Sequence, residues 1–166
     1  VDLYQLCGEI CERLQQRAQA KGVTLTLSGQ SAQVNTVRQI ADEVIYNLCD
    51  NAIKYNRPDG SVTVTVSTEA GSTKVWVQDT GIGISSADQR RVFERFYRVD
   101  KSHSRQIGGT GLGLSIVKHG AAYLGVKVGL QSQVGQGSTF WLEWSAQPLM
   151  QQESPMQKRL ETAQNL

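Results

Sequence analysis

Between Leu3 and Ala18 the apolar residues Leu3, Leu6, Cys7, Ile10, Leu14 and Ala18 recur at helical spacing. Asp2 and Gln5 stand in front as a capping-box pair and Lys21-Gly22 stops the pattern, so a first amphipathic helix is predicted. Val23 to Leu27 alternates apolar residues with threonine, the signature of a half-buried strand. Asn35 or Thr36 offers a cap to a second helix, whose stripe of Ala41, Val44, Ile45, Leu48, Cys49 and Ala52 continues to about Tyr55 before the turn Arg57-Pro58-Asp59-Gly60. Ser61 to Ser67 and Lys74 to Asp79 alternate around Ala70-Gly71-Ser72 as a hairpin. A short helix is expected from Ser85 to about Arg91, a further helix from Leu112 to Leu124, and strands over Lys127 to Gln131 and Ser138 to Trp144, joined at Gly135-Gln136-Gly137. Between Phe93 and Gly113 the chain is aromatic, then basic and polar, then glycine-rich, as in a mobile loop. From Ala146 it is glutamine-rich with prolines at 148 and 155, and 146–166 is expected to be a flexible tail or short appended helix.

Helices laid on a sheet built mainly from hairpins indicate an α+β sandwich. Strand and helix do not alternate regularly, which disfavours a doubly wound fold. Neither a G-x-x-x-x-G-K-[ST] loop nor a strand-led G-x-G-x-x-G run is present. Any nucleotide must be held by other machinery.

The 166 residues suit one domain with a real core. Seventeen Lys plus Arg against fifteen Asp plus Glu leave a net charge of +2, too weak a field to argue for nucleic acid or an anionic membrane. Phosphate, if bound, must be gripped locally. The three cysteines, Cys7, Cys11 and Cys49, occupy apolar helical positions, and an odd count with no secretory signal points to reduced thiols in a cytoplasmic setting. No apolar run approaches the roughly 20 residues of a membrane span, so no membrane contact is expected of this fragment.

The second helix carries more than a core stripe. At about 100° per residue, Glu43, Asn47, Asn51 and Lys54 fall within a wedge of roughly 80° opposite the apolar side. Carboxamide oxygens coordinate hard cations and a lysine neutralises phosphate, so the row has the composition of a metal-nucleotide site; a solvated helix face has it too. The strand ending in Asp79-Thr80-Gly81-Ile82-Gly83 delivers a carboxylate into a two-glycine turn. There a fixed acceptor meets an adenine amino group and Gly81 and Gly83 admit the flat base, although an ordinary strand-to-helix turn reads the same way. Gly108-Gly109-Thr110-Gly111-Leu112-Gly113 runs straight into a helix, freeing backbone amides to face an anion at the positive end of the helix dipole. Phe93 and Phe96 could pin a lid whose cations Arg98, Lys101 and Arg105 reach a terminal phosphate, or form part of a basic solvated loop. His103 and His119 are assigned no chemistry.

Taken together these segments resemble the sequence boxes of sensor histidine kinases, of the GHKL superfamily. The helix with Asn47, Asn51, Lys54 and Tyr55 is similar to the asparagine box, Asp79 to Gly83 to the first glycine box, and Phe93 to Phe96 to the phenylalanine box. Gly109 to Gly113 is similar to the second glycine box and Gly135-x-Gly137-Ser138-Thr139-Phe140 to the final one, all in the family's order over residues 1–145. The resemblance implies a Bergerat-type ATP-binding fold, a mixed sheet of about five strands covered on one face by three helices. It implies ATP and Mg²⁺, with Asn51 as magnesium ligand assisted by Asn47, and Lys54 and Tyr55 on the phosphates or the lid. Asp79 would read adenine, and Gly109, Thr110, Gly111, Leu112 and Gly113 would form the phosphate cradle. Asn47, Arg98, Lys101 and Arg105 would serve the transfer. The implied partners are a dimerisation and phosphoacceptor helical domain of the same full-length protein and a response regulator. The run from Val99 to Arg105 is similar to that of phosphate-sensing and cell-wall-sensing kinases.

Two departures shape the expectation. The phosphoacceptor motif of His, then Glu or Asp, then Leu-Arg-x-Pro is missing here, so the fragment is expected to bind ATP without phosphorylating itself. Gyrase-like and chaperone-like ATPases place a catalytic glutamate four residues before the magnesium asparagine, where this chain has Asn47, and an amide is no general base for water. Transfer to a protein histidine is therefore favoured over a GHKL ATPase without kinase activity. It is also favoured over an ATP-sensing regulatory module, because Asn51, Asp79 and the glycine runs are all retained.

Overall fold

The computed structural model describes residues 1–94, 97 and 113–146. Five strands, β1 (Thr24–Gly29), β2 (Ser61–Glu69), β3 (Ser72–Asp79), β4 (Lys127–Gln133) and β5 (Gly137–Trp144), form one sheet in the order β1-β2-β3-β5-β4. Only β1 and β2 run parallel; the other neighbours are antiparallel. The mixed sheet is covered on one face by α1 (Leu3–Lys21), α2 (Arg38–Lys54) and α4 (Gly113–Leu124), while the one-turn α3 (Ser86–Gln89) sits beside β4. This is the expected α+β sandwich.

Alternation decides which side of the sheet is covered. Val62, Val64 and Val66 of β2, Val75 and Val77 of β3, and Phe140, Leu142 and Trp144 of β5 are buried against Leu6, Ile10 and Leu14 of α1, Val44, Ile45 and Leu48 of α2, and Val117 and Ala121 of α4. Each of the larger of these side chains contributes about 1.5–3 kcal/mol on burial. The intervening residues face outward, and there Trp76 and Trp141 pack with centroids 5.5 Å apart. Gly129 lies directly opposite Trp141 across β4 and β5, and a Cβ on it would come 1.9 Å from the indole, so the glycine makes room for the ring.

The helix starts are half as predicted. Asp2 caps α1, its Oδ1 accepting from Tyr4 N at 2.9 Å and Gln5 N at 3.1 Å, but the Gln5 side chain donates along the helix to Glu9 instead of closing a capping box. Neither Asn35 nor Thr36 caps α2; the extended Val37 occupies that position with no side-chain bond. The approach to α2 is fixed by tertiary pairing instead, through Leu3 N to Ala32 O at 2.9 Å and Val34 N to Val1 O at 2.9 Å. Ion pairs then bind α1 to α2: Arg13 to Asp42, Arg38 to Glu9, and Arg17 to the buried Asp50. No helix among the described residues is long and apolar enough to cross a membrane.

Candidate functional site

Two parts of α2 define the site. Toward its middle, Asn47 and Asn51 lie one turn apart and face the first residue of α4. A Cβ built on Gly113 would stand 3.4 Å from Asn47 Oδ1 and 3.4 Å from Asn51 Nδ2. Asn47 Nδ2 donates to Glu43 O at 2.7 Å, which steadies the amide and leaves its oxygen on the Gly113 side. The start of a twelve-residue helix, with its positive dipole end, therefore abuts a pair of carboxamides.

At its C-terminal end α2 holds the Asp79 turn. The backbone N–H of Ile82 donates to Tyr55 O at 3.1 Å, so the residues that close the helix also receive the turn. Asp79 ends β3 in register with Val62 on one side and Ser138 on the other. Its Oδ1 accepts from Gly81 N at 2.9 Å and Ser138 N at 3.2 Å. Burial pushes the Asp79 carboxyl above the ordinary aspartate range, against the downward pull of these two amides. The result is an aimed, half-buried acceptor whose second oxygen has no hydrogen bond among the described residues.

The two glycines of this turn have a structural cause. A Cβ on Gly81 would lie 2.4 Å from Tyr55 O, and one on Gly83, whose φ is +71°, would lie 2.1 Å from Gln133 O. The turn is thus pressed between the end of α2 and the β4–β5 hairpin, and this packing by itself requires both glycines. Further bonds fix it there: Gly135 N to Ile82 O at 2.8 Å, Ile84 N to Ser132 Oγ at 2.7 Å, and Gln89 Nε2 to both Ile84 O and Ser132 O. Ser132 Oγ is 2.7 Å from the Oγ of Ser138, the residue paired with Asp79 across β3 and β5.

The remaining candidates divide. Lys54 is directed at Asp50, with Nζ 3.0 Å from Oδ2, on the side of α2 that meets α1, and its carbonyl accepts from Lys21 Nζ. Phe93 stands edge-on to Phe140 at 6.2 Å, an aromatic anchor at the base of the expected lid. Arg98, Lys101, Arg105, Gly109, Thr110, Gly111 and Leu112, like Phe96 and His103, lie outside the described residues. Ser138 stood inside the last glycine-rich run, but its role as the second amide on Asp79 follows from the β3–β5 register and has no mark in the sequence. Ser132 had no signal at all. Among the described residues no group of three or more His, Cys, Asp or Glu is placed to hold a metal. The carboxamides of Asn47 and Asn51 suit a hard cation that arrives with most of its oxygen ligands supplied by phosphate.

Known proteins resemble this chain in sequence and in fold. Residues 36–148 match the family model described as "Histidine kinase-, DNA gyrase B-, and HSP90-like ATPase". The sensor-like histidine kinase SenX3 of Mycolicibacterium smegmatis is 41% identical over 147 residues, covering 86% of this chain and 37% of that relative. The circadian input-output histidine kinase CikA of Synechococcus elongatus is 35% identical over 159 residues, covering 92% of this chain and 21% of that relative. The chain thus spans little more than a third of these relatives at most. Among solved structures, the mycobacterial sensor histidine kinase MprB superposes with a TM-score of 0.75 at 25% identity, over 90% of this chain and 97% of that one. Full-length ShkA, solved in complex with AMPPNP, gives a TM-score of 0.73 at 31% identity over 90% of this chain and 32% of that one.

Proposed function

The chain belongs to the histidine kinase-, DNA gyrase B- and HSP90-like ATPase family, and from that premise we propose that its residues 1–145 are the ATP-binding catalytic domain of a sensor histidine kinase. In this reading the nucleotide lies along α2, with adenine at Asp79 and the phosphates between Asn47, Asn51 and the start of α4. The observation that supports it is the geometry of one helix: Gly113 faces Asn47 and Asn51 at its middle, and the Asp79 turn is bonded to Tyr55 at its end.

Each residue then has a role set by its chemistry. Asp79 accepts from the exocyclic amine of adenine, and Gly81 and Gly83 keep the turn flat against its supports so that the base has room. Asn51, assisted by Asn47, holds Mg²⁺, which when bound neutralises charge on the phosphate oxygens. Gly109, Thr110, Gly111, Leu112 and Gly113 present amides to the phosphate chain at the dipole end of α4. Lys54 and Tyr55 serve the phosphates or the lid, Lys54 by leaving Asp50, and Arg98, Lys101 and Arg105 place positive charge at the terminal phosphate. The terminal phosphoryl group passes to an imidazole nitrogen of a histidine on a separate dimerisation and phosphoacceptor domain, and from there to an aspartate of a response regulator. Such a transfer depends mainly on positioning and charge stabilisation. Nothing in the described site supplies a carboxylate to activate water where Asn47 stands. The setting is the cytoplasmic part of a larger sensor.

The test supplies a phosphoacceptor helical hairpin in trans with γ-labelled ATP and Mg²⁺. Label on the acceptor histidine, lost with Asn51→Ala, is expected. Label that persists in Asn51→Ala removes the asparagine from its role, and steady phosphate release by the isolated domain would turn the reading toward an ATPase.

A further inference from the structure

Arg57 sits in the exposed turn between α2 and β2, which the sequence explains as a turn and nothing more. Its guanidinium Nη2 donates to Gly81 O at 3.2 Å and also to Gly135 O. These carbonyls belong to the two segments that supply the amides on Asp79: Gly81 is itself a donor to Oδ1, and Gly135 opens the turn leading to Ser138, the other donor. One cation therefore ties together the two loops that aim a single carboxylate. Resting on the functional reading above, we propose that Arg57 is a positioning residue for base recognition, acting through Asp79 without touching the nucleotide.

The local geometry supports a specific role rather than general bracing. The arginine springs from a fixed base, since Arg57 N donates to the side chain of buried Asn56 at 2.9 Å and Asn56 Nδ2 donates to Ser61 O at 2.9 Å. The far end of the Asp79 loop is held by other groups, Gln89 and Ser132 around Ile84. Arg57 holds the near end, at the residue whose N–H orients the carboxylate. Both contacts come from Nη2, which carries two N–H donors and so can serve the two carbonyls at once. Losing it leaves the Gly81–Ile82 peptide held by the bond from Ile82 N to Tyr55 O alone. The adjoining Thr80–Gly81 amide that aims Asp79 Oδ1 is then less firmly fixed through the Gly81 backbone torsions. The effect is then on which base is preferred, because the phosphate end at Asn51 and Gly113 is untouched.

The experiment compares affinity for Mg-ATP and Mg-ITP, which carries an oxygen where adenine has its amine, by titration calorimetry on the same chain. The wild type is expected to prefer ATP. Arg57→Ala is expected to lower the ATP-to-ITP preference about three- to tenfold, the scale of one hydrogen bond, while Arg57→Lys, still able to reach both carbonyls, retains most of it. Equal losses for both nucleotides, an unchanged ratio, or a lysine variant no better than alanine would overturn the proposal. Should Arg57→Ala fail to fold, Arg57→Gln carries the test, since its one amide reaches a single carbonyl and the ratio must still fall. A wild type that binds neither nucleotide refutes the functional reading itself, whereas a wild type that prefers ATP, with an arginine variant that prefers it equally, refutes only the role of Arg57.

Discussion

Gly113 opens α4 directly against Asn51, with no side chain between the helix start and the carboxamide: a Cβ there would lie 3.4 Å from Nδ2 and 3.5 Å from Oδ1. Those distances are ordinary van der Waals contact, so the fold tolerates a methyl group. Gly113→Ala is accordingly expected to leave the melting temperature unchanged or slightly raised, since alanine gains up to about 1 kcal/mol over glycine within a helix. The same methyl group occupies the space assigned to the phosphate-bound cation, so Mg-ATP affinity is expected to fall about tenfold or more, or about 1.4 kcal/mol. Calorimetry together with a thermal melt checks both halves, and full affinity in a stable Gly113→Ala protein counts against the phosphate site.

Asp79 separates stability from binding in the opposite sense to most buried-site residues. Its carboxyl is raised above the ordinary range chiefly by desolvation, so at neutral pH the ionised form costs the folded state free energy. Asp79→Asn keeps an oxygen for Gly81 N and Ser138 N but presents an N–H donor where adenine offers its own amine. Nucleotide affinity should drop about tenfold to a hundredfold, the scale of an unpaired buried donor, while the protein melts at the same or a higher temperature at pH 7. A carboxyl with a raised folded pKa regains stability as pH falls through that pKa. The advantage of the asparagine variant should therefore shrink as pH falls through the raised folded pKa toward the ordinary aspartate range. Melts across pH 7 to 4 test the sign, and an advantage that widens on acidification contradicts it.

The parts of this molecule that were legible in the sequence are those set by local periodicity. The Asn47–Asn51 row was visible because helix geometry alone puts residues four apart on one side, and β1, β2 and β3 because leucine or valine recurs at every second position between turn residues. The α2 cap was misplaced because Asn35 and Thr36 have the right chemistry, whereas the chain entry is dictated by pairing between residues 1–3 and 32–34. The second amide on Asp79 was invisible because it depends on the register of β3 against β5, strands separated by nearly sixty positions. Lys54 was read from its angle on the helix, but its partner Asp50 is shared with Arg17 of α1, a neighbour that no pattern within α2 announces. Gly81 and Gly83 were assigned to the base, yet the structure gives them a prior reason in the backbone of Tyr55 and Gln133.

The three cysteines are expected to behave as apolar core residues. All are buried free thiols; burial pushes Cys7 up to about 12 and Cys11 to about 11, and raises Cys49 well above its usual value. Thiolate is the reactive form, so at pH 7 to 8 it is almost absent while the fold is closed. Labelling with a maleimide should proceed no faster than unfolding and should accelerate in parallel with it as denaturant is added. Rapid modification of any one of the three in the native protein would mean that the α1–α2 seam opens locally.

The β2–β3 hairpin turns on Ala70 and Gly71, both in the left-handed region, with φ of 50° and 80°. Two residues at positive φ give the twist that a two-residue hairpin needs. Glycine adopts it freely, but a Cβ in that region costs roughly 1–2 kcal/mol. Asparagine tolerates the same conformation through its own local hydrogen bonding and loses less unfolded-state entropy than glycine does. Ala70 is exposed, so the substitution disturbs no core contact, and it lies at the end of the sheet away from Asp79. Ala70→Asn should therefore stabilise the domain by about 0.5–1 kcal/mol, a rise in melting temperature of about 1–4 °C at this size. Ala70→Gly should gain less, because the relief of strain is offset by the greater freedom of the unfolded chain. Thermal melts of the two variants beside the wild type decide it. If asparagine lowers the melting temperature, the turn does not hold the left-handed geometry in solution, and the register it imposes from Glu69–Ser72 down to Val62–Asp79 needs another source.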